Sequence, residues 1–181
     1  MKHLIHCCLV GCAFIASLST AQGHVVLTES QAIAGSYHKA TLRVGHGCNG
    51  SATNRITVLV PAGFQGAKPQ PKSGWILSTR TARLPQPYTS HGKTIAEDVV
   101  ELRWTARDQA AVLPDEHFDE FAFMSRLPKQ AGPVWIQVLQ DCENGQHHWV
   151  DIPTRGTSTS GMRSPAVLLD IVSADPHQHH H

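Results

Sequence analysis

An all-β sandwich is the architecture this sequence predicts, on three observations. Short segments rich in β-branched and aromatic residues recur between Gly, Pro and Asn punctuation, several of them alternate in polarity with period two, and no window sustains a helical period with end caps. In chain order, segment 25–27 opens with Val25, Val26 and Leu27, and 40–44 sets Ala40, Leu42 and Val44 against Thr41 and Arg43. Segment 56–60 carries Ile56, Val58 and Val60, and 75–78 carries Trp75, Ile76 and Leu77 before Ser78. Val99, Val100, Leu102 and Trp104 make 99–104 a fifth strand, and Phe121 and Phe123 alternate with Glu120, Ala122 and Met124 in 118–124. The alternation continues in 134–139, where Val134, Ile136 and Val138 interleave with Trp135, Gln137 and Leu139; an eighth segment, 149–152, holds Trp149 and Ile152.

Turn chemistry separates these segments: Ala34-Gly35-Ser36, the 47–51 stretch, Pro61-Ala62-Gly63, Lys72-Ser73-Gly74, Leu113-Pro114-Asp115 and Glu143-Asn144-Gly145. Asn144-Gly145 is the strongest hairpin and predicts a type I′ turn, which sets His147, His148 and Trp149 on a strand paired with the one carrying Trp135. After Pro153, the Ser/Thr/Gly-rich stretch 154–160 predicts a flexible C-terminal extension over 154–181, with one last apolar run at 166–172 and a His-rich end.

The 181 residues begin with an apolar run, 9–18, behind Lys2 and ahead of Ala21 and Gly23. It is too short to span a bilayer and reads as a signal peptide over 1–23, cleaved after Gly23. A competing reading takes Leu9, Val10, Gly11 and Cys12 as a lipobox, with Cys12 lipidated and His24 internal; it is disfavoured because the apolar run continues past Cys12. Cleavage predicts a periplasmic or secreted protein with a single domain over 24–153 and no integral membrane span. It also leaves fourteen basic against fourteen acidic residues, a neutral chain with no electrostatic footprint for nucleic acid or anionic lipid. Two cysteines survive, Cys48 and Cys142, and an even count in an oxidising compartment predicts one disulfide, ahead of two free thiols or half a metal site.

The new first residue would be His24, an α-amine and an imidazole on one residue. Its amine and ring Nδ1 can close a chelate, and nitrogen donors suit Cu(II). The competing reading is that a histidine at a cleavage site is accidental. Further along the chain stand His24-Val25-Val26-Leu27-Thr28, Thr41-Leu42-Arg43-Val44, His46-Gly47-Cys48, Pro71-Lys72-Ser73-Gly74-Trp75, Arg103-Trp104, Phe118-Asp119-Glu120-Phe121 and His148-Trp149. In this order they resemble the YcnI-like family of bacterial exported copper-binding proteins, across nearly the whole span from His24 to Pro153. The resemblance implies an Ig-like or cupredoxin-like sandwich and a role in copper trafficking or homeostasis. It also implies a Cu(II) site built on a single N-terminal histidine, with acidic and tryptophan residues around it.

Carried over residue by residue, the resemblance makes His24 the metal ligand and Trp149 the tryptophan beside it, with Trp104 as its rival; core packing is the default for Trp75, Trp104 and Trp135. A carboxylate would offset the charge of Cu(II) on neutral donors, and Glu120 is the first choice, with Glu29 and Glu101 as alternatives and solvent exposure as the bland reading. As strand neighbours His147 and His148 face opposite ways, so at most one can look toward His24; His46 and His117 fall in loops, where surface histidines are the norm. One of these joining His24 would make a two-histidine brace of the kind found in oxidative polysaccharide-cleaving enzymes. His177, His179, His180 and His181 form a separate, auxiliary weak metal-binding tail.

Three functions follow from these readings: a non-enzymatic Cu(II)-binding protein working with other copper-handling proteins, a copper-dependent mono-oxygenase, and a metal-free structural domain. The first is the expectation, because no second brace histidine can be assigned and no hydrolase or zinc-protease motif is present.

Overall fold

The computed structural model describes residues 24–174. Eleven strands run β1 (Val26–Leu27), β2 (Gln31–Ile33), β3 (Tyr37–Val44), β4 (Thr53–Leu59), β5 (Gln65–Pro69), β6 (Trp75–Ser90), β7 (Lys93–Ala106), β8 (Asp119–Arg126), β9 (Gly132–Cys142), β10 (Gln146–Trp149) and β11 (Val167–Val172). One short 3-10 turn, Gln109–Ala111, is capped by the Asp108 side chain. The strands form two sheets, four-stranded β1-β3-β8-β5 and seven-stranded β2-β11-β9-β4-β7-β6 with β10 paired antiparallel to β9. The fold class is all-β sandwich, as the alternating segments predict.

The core lies between the two sheets. Alternation turns Ala40, Leu42 and Val44 of β3 and Phe121 and Phe123 of β8 inward from one side. Leu42 pairs with Phe121 and Ala40 with Phe123 across the strands. From the other sheet come Ile56 and Val58, Leu102 and Trp104, Ile136 and Val138, and Leu169 and Ile171, all essentially inaccessible. Burying each such large apolar side chain contributes roughly 1.5–3 kcal/mol. Trp75 and Trp104 both lie edge-on to Phe121, with ring centroids 4.9 and 5.7 Å away.

Four expectations need correction. The domain does not end at residue 153: β11 pairs antiparallel with β9 and parallel with β2, so it is an interior strand of the larger sheet. Its alternate residues Val167, Leu169 and Ile171 are buried, and a solvated tail could not carry them. The 154–165 stretch is the return path, fastened where Val150 and Asp151 donate to the Ser164 carbonyl and Ala166 donates to that of Asp151. Second, β6 and β7 are far longer than 75–78 and 99–104; polar residues carry them out as a hairpin arm turning at His91 and Gly92, both with positive φ. Third, only Gly145 of the 143–145 turn takes positive φ, at 87°, so the turn is not type I′, which needs Asn144 left-handed as well. Last, Trp135 lies on the outer face of β9, half-buried, not in the core.

The Cys48–Cys142 disulfide is present, with Cα atoms 6.0 Å apart. No helix among the described residues is long and apolar enough to cross a membrane. The leader and the histidines at 177 and 179–181 lie outside the described residues.

Candidate metal centre

Trp149 is the centre about which three histidines gather. It ends β10 opposite Val138 and is only 1% exposed. The His24 ring stands 5.4 Å from it, that of His147 5.6 Å and that of His46 6.3 Å, while His46 and His147 are 6.0 Å apart, edge to face. These rings come from three separate parts of the chain, so the fold alone assembles them.

Each is positioned by ordinary structural means. Val25, 4% exposed, sinks into the core beside His24 and leaves the histidine at the surface, just ahead of the pairing of Val26 with Arg43. His147 shares the face of Trp149 because strand side chains repeat every two residues, and it lies opposite Gln140. His46 sits in the loop after β3, and its Nδ1 lies against the Gly47 carbonyl.

One buried side chain ties these parts together. Gln140, 1% exposed, accepts a hydrogen bond from the Trp149 indole N–H at 3.0 Å and donates to the His46 carbonyl at 2.7 Å and the Thr53 hydroxyl at 2.8 Å. Below His46 the loop is pinned by the disulfide and by the Gly47 N–H, which donates to Asp115 at 2.8 Å. Gly47 must be glycine because of close approach: a Cβ there would lie 1.9 Å from the Ser51 carbonyl oxygen.

Burial, and then the neighbouring His46, lower the His147 pKa below its ordinary 6.5, so its ring is neutral at physiological pH. His148 points the other way and meets Asp141 at 3.3 Å, where Arg55 also binds at 2.8 Å. Burial works to raise the Asp141 carboxyl, but the hydrogen bonds from Arg55 and His148 prevail and hold it below its usual range. Among the described residues no three His, Cys, Asp or Glu side chains form a ready metal-holding group. The imidazoles surround the indole instead of converging on one point.

Of the residues singled out in the sequence, His24 and Trp149 are brought together. Glu120 is not in the cluster: it lies on the exposed face of β8, two strands from β1, where Arg43 holds its carboxylate at 3.2 Å. Glu101 is likewise paired, with Arg80 and Arg103. Trp104 is fully buried, donates its indole N–H to the Gln70 carbonyl and packs on Phe121, which makes it a core residue and not a neighbour of His24. His117 sits in the loop ahead of β8. His46 and His147, weighed in the sequence as surface histidines, are the additions. The period-two link between His147 and Trp149 was a usable signal; the link from His46 depended on the disulfide register.

Beside His24 an open groove of about 350 Å³ is lined by Val26, Trp135 and Leu168 and by Thr157 and Thr159 of the return segment.

No curated protein matches the chain. Among solved structures it is similar to an uncharacterized protein from Nocardia farcinica described as having an immunoglobulin-like fold, at 23% identity and a TM-score of 0.62, covering 82% of this chain and 97% of that one. A weaker likeness, at 9% identity and a TM-score of 0.39, is to the seventh ScaB type I cohesin from Pseudobacteroides cellulosolvens, covering 87% of this chain and 97% of that one. The first supports the immunoglobulin-like sandwich and the second carries no argument. The family model described as a domain of unknown function, DUF1775, matches residues 24–171, from the histidine beside Trp149 to the interior strand β11, and the chain therefore belongs to this family, the YcnI-like domain family.

Proposed function

We propose that this is an exported Cu(II)-binding protein of copper trafficking or homeostasis, with no enzymatic activity of its own. It would hold the ion through the α-amine and imidazole of His24 once the leader is removed behind Gly23. The observation that carries this reading is the His24 ring set 5.4 Å from the buried indole of Trp149, with two further imidazoles on the same indole. The donor chemistry fits the cargo: amine and imidazole nitrogens suit Cu(II), and the indole would shield one side of the ion from solvent. Two further facts support export to an oxidising compartment. The family match begins at His24, the residue that cleavage would expose, and the Cys48–Cys142 disulfide is of the kind that persists outside the cytoplasm.

The test is made on protein exported with its own leader and checked by intact mass. Correctly processed protein is expected to take up one tightly held Cu(II), seen by electron paramagnetic resonance. Adding one residue ahead of His24 turns the amine into an amide, which lacks an available lone pair, and should weaken binding more than replacing any other single histidine. Unchanged affinity and spectrum in the extended protein would remove the proposal.

A second reading, a copper mono-oxygenase with a histidine-brace-like site, gains from His46 and His147 standing on the same indole as His24. Peroxide-driven turnover of a chromogenic phenol by the copper-loaded protein decides for it. Absence of copper uptake decides for a metal-free structural domain.

A further inference from the structure

Resting on the copper role proposed for His24, we propose that Gln140 is the positioning residue of that site. It fixes the Trp149 indole beside His24, so that copper affinity depends on a side chain that is not a ligand. Along β9 the inward positions run Ile136, Val138, Gln140 and Cys142, so period two places a glutamine where the core takes apolar side chains. Burying an amide is costly unless its polar atoms find partners, and here they do. The oxygen accepts the Trp149 indole N–H at 3.0 Å, and the nitrogen donates to the His46 carbonyl at 2.7 Å and to the Thr53 hydroxyl at 2.8 Å. Turning the amide over would set its nitrogen against the indole N–H and its oxygen against a carbonyl, so only one orientation satisfies all three groups.

That orientation aims the acceptor at Trp149. Gln140 lies opposite His147 on β10, next along the same face from the Val138–Trp149 pair, and Gln140 and Trp149 are each 1% exposed. An indole has one N–H, and tying it to an acceptor carried by a neighbouring strand fixes the plane of the ring as well as its place. His24 lies ahead of Val26, the first paired residue of β1, so its ring takes its position from side-chain packing and not from the sheet. That packing is against Trp149, with ring centroids 5.4 Å apart and planes inclined at 58°. The far end of the network is rigid: Thr53 is fully buried on β4, and its hydroxyl also lies 3.7 Å from Cys142 Sγ of the disulfide. A methionine at 140 would fill a similar volume yet leave the buried indole N–H without an acceptor, and the ring would turn to find one.

The experiment compares processed wild-type protein with Gln140→Met, Trp149→Phe and the double variant. In metal-free protein the Trp149 indole proton, assigned by NMR from its absence in Trp149→Phe, is expected to exchange with solvent about tenfold faster in Gln140→Met than in wild type. Cu(II) affinity, measured by competition with a chelator, should fall about tenfold in Gln140→Met, and the electron paramagnetic resonance spectrum should move with it. Because Gln140 acts through the indole, replacing it in the Trp149→Phe background should change affinity by less than about twofold. An unchanged exchange rate, wild-type affinity and spectrum in Gln140→Met, or independent losses that multiply in the double variant each overturn this inference and leave the role of His24 standing. A wild-type protein that takes up no copper removes that role and this inference with it. Should Gln140→Met fail to fold, as judged by thiol titration and a urea transition, Gln140→Asn, polar but one methylene too short to reach the indole, carries the same comparison.

Discussion

His38 shows how one side chain writes a pH dependence into the fold. It is partly buried on β3 opposite Ser125, and neither its Nε2 nor the Ser125 hydroxyl makes a hydrogen bond. Burial lowers its pKa from 6.5, and the pull of Glu29 in the other direction does not restore it. Because the folded pKa lies below the unfolded one, the unfolded chain binds more protons as the pH falls through this range. The contribution of His38 to stability is therefore fully present above about pH 6.5 and is lost as the pH falls through the folded value. His147 is shifted the same way, so the test is comparative. His38→Gln should flatten, without abolishing, the fall in urea midpoint between about pH 7 and pH 5. A variant as steep as wild type would show that His38 has no part in it. Glu120 shows what a sequence leaves out: its spacing marks an outward position on β8, but nothing in it shows that Arg43, 77 residues away, sits directly across the strand pair.

Among the elements, legibility followed apolar content. The strands with inward alternation, around Leu42, Val58, Leu102, Phe121 and Ile136, were readable because their side chains report the face they occupy. β2, three residues long, and β5, which carries Gln65, Gly66 and Lys68, were not, because short or polar edge strands are held by backbone hydrogen bonds that leave no side-chain pattern. The outer half of the β6–β7 arm was hidden for the same reason, and Pro85 and Pro87 there fall inside the irregularity between Arg83 and Tyr88. Of the candidate site, the family resemblance pointed to His24 and Trp149, whereas the approach of His46 to Trp149 has no sequence signal, because it depends on the path of the loop that the Cys48–Cys142 link anchors. That link joins the loop after β3 to the end of β9, 94 residues on. Replacing both cysteines by serine should cost roughly 4–5 kcal/mol at most by the loop-entropy argument, with native strain subtracting from that figure. It should also loosen His46 from Trp149. Urea unfolding measures the first effect and copper affinity the second; an unchanged urea midpoint would show that the bridge constrains little.

At the scale of the whole molecule, the question is where the domain ends, because the final strand closes a sheet begun at the other end of the chain. β11 lies between β2 and β9, so residues 31–33 reach the larger sheet only through 170–172. The consequence is all-or-none. A chain ending at Pro153 loses Val167, Leu169 and Ile171 from the core, leaves one side of β9 unpaired over Gly132 to Ile136, and strands β2 without a partner. Three buried aliphatic side chains alone represent roughly 4–9 kcal/mol, comparable to the whole stability of a typical domain. Such a chain should express as aggregate or lack a cooperative unfolding transition. A chain ending at Ala174 keeps every described element and should unfold at the wild-type temperature, within a degree or two. By the copper reading it should also keep the tightest Cu(II) site while losing the weaker uptake assigned to His177, His179, His180 and His181, since flexible imidazoles bind with an ordering cost that a built site avoids. Calorimetry and copper titration on the two chains separate the outcomes. A cooperative, copper-binding protein ending at Pro153 would return β11 to the status of an appendage. Loss of the tight site on ending at Ala174 would instead make the tail one of its ligands.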